Sequence, residues 1–251
     1  MIDIERRRKI LKYIFRVYPN VWQLPNSVKI LEFTELTKDH FPAKGETVLD
    51  LGCGKGIQTQ LLASRGAMVI GMDPSVKRHT AAIKELRWSR VRKNVDFRCC
   101  TLETDGLESK SLDKAISFCV LEHIPNLDDV LSTIYKALKP GGELHATVDS
   151  LSNIDDEQLL DKHRNQHAVV QYFTMETIEE TLNRAGFTVF EKRHILTSEL
   201  ARQKLIDELR TGNYLQPVEI RKGDFDKLAR DEQTSLSPEK GTMILVRARK
   251  T

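Results

Sequence analysis

The sequence has no hydrophobic run long enough to cross a membrane. Its longest apolar stretches, such as Ala115 to Leu121, fall far short of the roughly 20 residues that a membrane-spanning helix needs. The N-terminus becomes strongly basic within a few residues and has neither the apolar core nor the cleavage site of a signal peptide. We therefore expect a cytoplasmic protein with no membrane partner.

Cysteine is scarce, and the net charge is small. The four cysteines fall at or beside predicted strand ends, in a spacing typical of neither a disulfide framework nor a zinc knuckle; they are Cys53, Cys99, Cys100 and Cys119. We expect them to be reduced and half-buried. The formal charge of +3 is spread over many residues of both signs, so it neither demands nor excludes an anionic partner.

The chain also lacks internal repeats and low-complexity segments, and its composition excludes wholesale disorder. From Glu46 onward, short apolar runs alternate with helical stripes, which predicts a mostly parallel sheet covered by helices on both faces. The predicted strands are Val48–Leu51, Met68–Met72, Val95–Arg98, Lys114–Phe118, Glu143–Val148, Phe187–Glu191 and Met243–Val246. The helix before the fifth strand reaches Leu138 and is stopped by Pro140.

Three glycines, Gly52, Gly54 and Gly56, follow the first predicted strand. A buried strand turns abruptly into a helix here, and glycine permits both positive φ and close approach of the backbone to a ligand. The start of the next helix presents free N–H groups to an anionic group, at the edge where open α/β sheets bind ligands. The alternative is a tight strand-to-helix turn that binds nothing.

Two carboxylates accompany the glycines. Asp50 lies two residues before the first glycine, and Asp73 ends the second predicted strand about twenty residues further on. A carboxylate at the second position can accept both hydroxyls of a ribose, in nicotinamide and in adenosylmethionine sites alike. The dinucleotide fingerprint requires its third glycine where this chain has Ile57, which disfavours a nicotinamide-dependent oxidoreductase.

Four segments, taken in order, resemble class I S-adenosylmethionine-dependent methyltransferases of the small-molecule subgroup. They are VLDLGCGKG (Val48 to Gly56), GMDP (Gly71 to Pro74), FCVLEHI (Phe118 to Ile124) and LKPGG (Leu138 to Gly142). The text from Tyr172 to Phe187 resembles the helix before strand six in this subgroup. The resemblance implies a Rossmann-like seven-stranded sheet, with the last strand antiparallel and inserted between the fifth and the sixth. It also implies S-adenosylmethionine as cofactor and S-adenosylhomocysteine as product.

The resemblance assigns cofactor contacts to residues at strand ends: Asp50, Gly52, Cys53, Gly54, Gly56, Asp73, Pro74, Thr101, Leu102 and Cys119. Asp50 and the backbone at Gly52 are expected to hold the cofactor's amino group. Gly54 and Gly56 are expected to shape the pocket near its methionine carboxylate.

The remaining contacts concern the ribose, the adenine and the methionine. Asp73 is expected to bind the ribose hydroxyls, and Pro74 to lie against the adenine. The family often places an acidic residue after the third strand to hold the adenine amino group, but this chain has Thr101 there, followed by Leu102. A hydroxyl binds the adenine without charge assistance, and Leu102 contributes its backbone N–H. Cys119 is expected to line the methionine moiety, or else to be a small buried residue at a strand end.

Methyl transfer from a sulfonium mainly requires alignment of the acceptor with the methyl carbon, so a base is needed only for a protonated acceptor such as a hydroxyl. His123 is the candidate base, because the turn after strand four opens toward the acceptor. The alternative is a structural histidine that orients this turn with Glu122.

A second cluster comprises His163, His167 and Tyr172, after a strand that ends at Asp149. These residues lie where the fold usually places substrate contacts, although each one alone is typical of surface or packing positions. The two histidines are spaced for metal binding on a helix, but no further ligand is indicated. We therefore expect no metal.

We expect one methyltransferase domain with helices added at two places. It divides into an N-terminal helical cap (1–42), a cofactor-binding core (43–193), a helical insertion that caps the substrate (194–241) and the last strand (242–251). An amphipathic stripe that includes Ile10 and Ile14 predicts a helix in the first segment. Trp22 follows this helix, either as an anchor or as a lid over the site.

The leading hypothesis is methyl transfer to a small-molecule acceptor, at oxygen. The alternatives are a methyltransferase acting on RNA or protein and a cofactor-binding protein without transfer activity. The first is suggested by the basic run from Arg6 to Lys9, which is more typical of the solvated face of a helix, so a nucleic-acid partner is not expected. The second is suggested by Thr101 in place of an acid. The sequence leaves the acceptor and the oligomeric state open.

Overall fold

The computed structural model describes residues 14, 17–102, 107–212, 215 and 218–251, without the side chains of 218–220. Its strands are β1 (Thr47–Leu51), β2 (Met68–Met72), β3 (Val95–Arg98), β4 (Leu112–Phe118), β5 (Leu138–Asp149), β6 (Phe187–Ile195) and β7 (Met243–Lys250). Its α-helices are α1 (Ser27–Thr37), α2 (Ile57–Leu62), α3 (Val76–Leu86), α4 (Leu127–Ala137), α5 (Glu157–His167), α6 (Met175–Arg184), α7 (Glu199–Thr211) and α8 (Val218–Gln233). Among the helices that the structure describes, none is both long and apolar enough to cross a bilayer.

The seven strands form one sheet in the order β3-β2-β1-β4-β5-β7-β6. Neighbours from β3 to β5 pair in parallel, whereas β7 pairs antiparallel with both β5 and β6. The predicted Rossmann-like α/β sheet, with its last strand antiparallel between the fifth and the sixth, is confirmed. The strand order reverses between β1 and β4, which opens a crevice at their carboxyl ends.

Helices cover both faces of the sheet, which explains the nearly continuous apolar character of its strands. Successive residues of β1 point to opposite faces. Val48 belongs to a cluster with side chains of α1, α2 and α8, and Leu49 belongs to a second cluster with side chains of α4 and α6. Both residues are fully buried. These two layers hold the strand ends that carry the site.

Strand β5 begins earlier than the sequence predicts. Leu138 already pairs with Leu112 of β4, and the next pair in the ladder joins Glu143 to Lys114. The intervening residues 139–142 therefore face a single residue of β4, and Gly141 adopts a φ of 77°. The Pro-Gly segment is thus a bulge within the strand, where an irregular backbone interrupts the ladder without ending it.

The N-terminal segment and the insertion between β6 and β7 pack against each other. The ring of Trp22 meets that of Phe225 on α8 edge-on, with 5.8 Å between the ring centroids. Arg221, on the same helix, donates from Nη1 to the carbonyl oxygens of Trp22 and Leu24 at 2.6 and 2.5 Å. Trp22 is therefore an anchor between the two segments. The helix predicted around Ile10 and the basic run from Arg6 lie largely outside the described residues, and the four-segment division stays a prediction.

Thr174 caps α6, and its removal should destabilise the fold by a small, measurable amount. Its Oγ1 accepts from the N–H of Thr177 at 3.2 Å, and the Oγ1 of Thr177 accepts from the N–H of Thr174 at 2.9 Å. Thr174→Ala leaves a helical N–H without its partner, so we expect the free energy of unfolding to fall by about 1 kcal/mol in urea denaturation. Ser237→Ala, in an exposed loop, is the control. Equal losses in both variants would contradict the capping role.

Candidate cofactor and active site

A cavity of about 1090 Å³ lies at the carboxyl ends of β1, β2, β4 and β5. Most of the residues expected to bind the cofactor line it: Gly52, Cys53, Gly54, Asp73, Pro74, Thr101, Leu102 and Cys119. Asp50 and Gly56 are not part of its wall. We call the side formed by the glycine loop and the residues after β2 and β3 the β1 end. The side formed by the end of β5 with α1, α5 and α7 is the β5 end.

The glycine loop leaves β1 in a left-handed conformation. Gly52, Gly54 and Gly56 have φ angles of 71°, 55° and 74°. A Cβ on Gly52 would collide with Val120, and a Cβ on Gly56 would collide with Phe97. A Cβ on Gly54 would meet no atom within 4 Å, although this residue lines the cavity. The first and third glycines are therefore needed for packing, whereas the second keeps space open for a ligand.

Asp73 joins the glycine loop to the end of β2. Its Oδ2 accepts from the N–H of Gly54 at 3.0 Å, and its Oδ1 accepts from the N–H of Ser75 at 2.9 Å. The guanidinium of Arg78 lies 3.5 Å from the same Oδ2. The carboxylate is nearly fully buried in the protein but reaches the cavity wall. It therefore positions the loop and also presents acceptor oxygens to a ligand.

Asp50 lies beneath the loop and is only 1% exposed. Its Oδ2 accepts from the hydroxyl of Thr59, on α2, at 2.6 Å. Burial, opposed by this hydrogen bond and assisted by the charge of Asp73, raises the pKa of Asp50 to about 7. In the described structure Asp50 therefore ties β1 to α2, and its contact with the cofactor's amino group stays a prediction.

Cys119 stands between the two ends of the cavity with a φ of 51°, a left-handed angle uncommon for a side-chain-bearing residue. Its thiol donates to Oε1 of Glu32, on α1, at 3.2 Å, and its N–H donates to the carbonyl of Thr147 at 3.0 Å. Burial and the neighbouring carboxylate raise the pKa of the thiol. Cys119 is therefore a neutral wall residue.

The β5 end brings together ionisable side chains from five separate segments. His123, Asp149, His163 and His167 meet there, as the sequence predicts for a substrate region, and Lys29 of α1 and Glu208 of α7 line the same wall. Nζ of Lys29 lies 2.7 Å from the buried carboxylate of Glu32. Burial raises the pKa of Glu208 to about 7, although the charge of Lys29 opposes this shift.

His163 is held in a defined tautomer by its neighbours. The hydroxyl of Tyr172 donates to the carbonyl of Leu160 at 3.1 Å, so its oxygen accepts from Nδ1 of His163 at 3.1 Å. Nε2 is then the basic nitrogen, 3.6 Å from Oδ2 of Asp149. Burial and the nearby His167, His123 and Lys29 lower the pKa of His163 to about 4, so the ring is neutral at pH 7.

A second carboxyl group, that of Glu122, is buried behind Asp149. Glu122 is 0% exposed, and neither of its carboxyl oxygens has a hydrogen-bond partner among the described residues. One ligand-type atom from each of Cys119, Glu122 and Asp149 lies within 4.8 Å of the others. Burial raises the pKa of both carboxyl groups; the charge of Asp149 adds to the rise at Glu122, and the charge of Glu32 adds to the rise at Asp149. The absence of a metal from this site stays a prediction.

Comparison with known proteins decides the family. A family model described as "Methyltransferase domain" matches residues 28–192, which contain the glycine loop, Asp73 and the end of β5. The chain belongs to this methyltransferase family. The resemblance stated from the sequence is confirmed, and with it S-adenosylmethionine as the cofactor.

Several curated relatives are ubiquinone biosynthesis O-methyltransferases. The one from Agrobacterium fabrum is 38% identical over 109 residues, which is 43% of this chain and 43% of that protein. The one from Rhizobium johnstonii is 28% identical over 191 residues, 73% of this chain and 76% of that protein. The match to the Agrobacterium protein thus spans less than half of its length.

Solved structures share the fold. Phosphoethanolamine N-methyltransferase 2 from Haemonchus contortus, solved with S-adenosylmethionine, superposes with a TM-score of 0.65 at 22% identity over 88% of this chain and 52% of that one. A putative sarcosine dimethylglycine methyltransferase from Galdieria sulphuraria gives a TM-score of 0.66 at 14% identity over 97% of both chains. At these identities the likeness extends to the methyltransferase fold only.

Two residues of the cavity wall, Lys29 and Glu208, were absent from the sequence-based prediction. Each lies on a cap helix, outside the motifs of the core, and neighbours the rest of the site only through the packing of α1 and α7. The available signal was a charge on an otherwise core-facing part of a helix: Lys29 precedes the buried Ile30, and Glu208 precedes the buried Leu209. That signal alone does not separate a cavity residue from a solvated one.

Gly54→Ala should weaken cofactor binding far more than it weakens the fold. The added methyl group enters the cavity, while the positive φ costs about 1–2 kcal/mol of stability. Gly45→Ala is a matched control, because Gly45 also has a positive φ of 85° and open space around it, but does not line the cavity. Calorimetry with S-adenosylhomocysteine and urea denaturation measure the two effects. Equal affinities in the two variants would contradict the assignment of Gly54.

Asp73→Ala should reduce the affinity for S-adenosylhomocysteine by about 1.5–3 kcal/mol, the range for hydrogen bonds to a charged group. Asp96→Ala, an exposed aspartate of β3 paired only locally with Arg98, is the control and should bind normally. Isothermal calorimetry gives both values. An unchanged affinity in the Asp73 variant would remove this residue from the cofactor site.

Proposed function

We propose that the protein transfers the methyl group of S-adenosylmethionine to a hydroxyl oxygen of a small-molecule acceptor. The observation that carries this proposal is the single cavity that has the glycine loop and Asp73 at one end and a cluster of ionisable side chains at the other. The ubiquinone-biosynthesis relatives support oxygen as the acceptor atom and a small molecule as the acceptor. They favour this function over transfer to RNA or protein and over binding without transfer.

The residues of the β1 end fit the cofactor. The open space over Gly54 leaves room for its methionine part beside Gly52, Cys53 and Cys119. Asp73 offers carboxylate oxygens to the ribose hydroxyls. The adenine lies between Pro74 and the segment after β3, where Thr101 and Leu102 line the cavity. When bound, the cofactor supplies a methyl group activated by its positively charged sulfur.

The β5 end holds and deprotonates the acceptor. The proposed base is His123, whose Nδ1 lies 3.3 Å from the carbonyl oxygen of Ala168. A carbonyl accepts only, so Nδ1 carries the hydrogen and Nε2 is left with the lone pair that takes the hydroxyl proton. His123 lines the cavity, which gives this nitrogen access to an acceptor.

The cap, formed by the N-terminal segment and the insertion between β6 and β7, also has a proposed role. The described parts of the N-terminal segment and of the insertion contribute residues such as Lys29 and Glu208 to the cavity wall. We propose that this cap limits the access of water to the site. We also propose a cytoplasmic location, which is supported by the four free cysteines, since a reducing compartment keeps thiols unpaired. The proposal does not depend on an oligomeric state.

Turnover tests the proposal directly. The protein is incubated with S-adenosylmethionine and a panel of hydroxyl compounds, and the formation of S-adenosylhomocysteine is followed with the mass of the methylated acceptor. We expect at least one hydroxyl compound to gain a methyl group on oxygen. Tight cofactor binding with no transfer to any compound of the panel would favour the cofactor-binding alternative.

His123→Ala should slow methyl transfer by about 10²–10⁴-fold, the usual contribution of a positioned base, without weakening cofactor binding. The control is His79→Ala, since His79 lies on α3 outside the cavity wall. Steady-state rates over a range of pH give the comparison. If the rate is unaffected at every pH, catalysis depends on alignment alone and His123 is a structural residue.

A further inference from the structure

The β5 end of the cavity holds more carboxyl groups than positive charges to balance them. Asp149 and Glu208 line it, Glu122 is buried behind it, and Glu32 is buried in contact with the wall residue Cys119. The ammonium of Lys29 lies at the same end, but it is already paired with the carboxylate of Glu32, 2.7 Å away. The end is therefore rich in carboxyl groups without a cationic partner.

The other basic side chains of the described cavity wall do not correct this imbalance. The guanidinium of Arg221 donates to two carbonyl oxygens in the cap, and that of Arg78 faces Asp73 at the β1 end. Lys55 belongs to the glycine loop, and His123, the proposed base, can accept a proton only while its ring is neutral. His163 is neutral at pH 7 because its pKa is lowered to about 4, and the pKa of His167 is lowered as well.

Glu122 is a separate observation that points to a missing cation. It is 0% exposed, its two carboxyl oxygens have no hydrogen-bond partner among the described residues, and one of them lies within 4.8 Å of the carboxyl group of Asp149 at the cavity wall. A buried charge without a partner costs several kcal/mol, which a protein avoids by protonation or by a counterion. A positively charged group in the cavity would supply that counterion to the whole cluster.

We infer that the methyl acceptor carries a protonated amino group, which Asp149 and Glu208 hold at the β5 end of the cavity. An ammonium presents three donors, and the two carboxyl groups are near enough for the charge of Asp149 to act on Glu208. A carboxylate or phosphate on the acceptor would instead meet carboxyl groups, which cannot neutralise it, and a lysine that is already paired with Glu32. This inference rests on the proposed function only in assigning the β5 end to the acceptor.

Three phenols of nearly the same shape test the inference. Tyramine carries an ammonium, 4-ethylphenol carries no charge, and 3-(4-hydroxyphenyl)propionate carries a carboxylate, all on the same two-carbon arm. Their dissociation constants are measured by calorimetry with the full chain saturated with S-adenosylhomocysteine, in the presence of EDTA. We expect tyramine to bind about tenfold or more tightly than 4-ethylphenol, and the propionate to bind most weakly.

Two variants then test whether Glu208 causes the preference for tyramine over 4-ethylphenol. Glu208→Gln keeps the shape of the side chain and removes its charge, so the advantage of tyramine over 4-ethylphenol should shrink several-fold. Glu199→Gln, on the same helix with a side chain 74% exposed, is the matched control and should keep the full advantage. An equal loss in both variants would place the cation elsewhere and overturn the assignment.

The inference and the proposed function fail in different ways. The charge preference is read from binding, whereas the function is read from turnover of S-adenosylmethionine. If tyramine binds no more tightly than 4-ethylphenol, or binds only after Mg²⁺ is added in excess of EDTA, the inference is overturned while methyl transfer can still occur. If tyramine is preferred but no hydroxyl compound is ever methylated, the function is wrong and the cation site stands.

Discussion

The hydrogen bonds that Asp73 accepts from Gly54 and Ser75 hold the cofactor half of the site together. They fix the glycine loop of β1 to the end of β2, next to two backbone bonds from Gly52 and Cys53 to the carbonyl of Met72. Because the sheet is parallel here, the two strand ends meet at one edge, and a single carboxylate holds the loop while it also reaches the cavity wall. Without this carboxylate the N–H of Gly54 would lose its acceptor.

The two ends of the cavity differ in whether their buried carboxyl groups have hydrogen-bond donors. At the β1 end every buried carboxylate has a donor: Asp50 has Thr59, and Asp73 has two N–H groups. At the β5 end Glu122 has none among the described residues, and both Glu122 and Asp149 have raised pKa values. The carboxylates that hold the backbone at the β1 end thus have donors, whereas Glu122, behind the β5 end, has none among the described residues. This contrast between the two ends is the basis for inferring a positive charge on the acceptor.

The core of the fold could be predicted from the sequence because its signals are local. Strand β2 was predicted at its observed bounds, since the signal of an apolar run extends over only a few positions. The bulge in β5 was missed because Pro140 and Gly141 are equally typical of a break. Helix α5 was not predicted, because its sequence is largely polar and its one buried residue, His163, leaves no apolar stripe.

The site also has a part that could be predicted from local sequence signals and a part that could not. The glycine loop and Asp73 lie in short motifs whose spacing carries their meaning, so their places at the cavity followed from the sequence. The β5 end is assembled from helices far apart in the chain, and only the packing of α1 and α7 brings Lys29 and Glu208 to Asp149. The spacing of residues in the sequence does not show which distant helices pack next to each other. The acceptor therefore has to be inferred from charge and burial rather than from a motif.

The most direct test of the account is a crystal structure of the protein with S-adenosylhomocysteine bound. The account predicts the ribose hydroxyls on the carboxylate of Asp73, the homocysteine part over Gly54, and the sulfur facing a free volume bounded by His123 and Asp149. Binding at another place, or with the sulfur turned away from the β5 end, would contradict the central claim that one cavity carries both the cofactor and the acceptor.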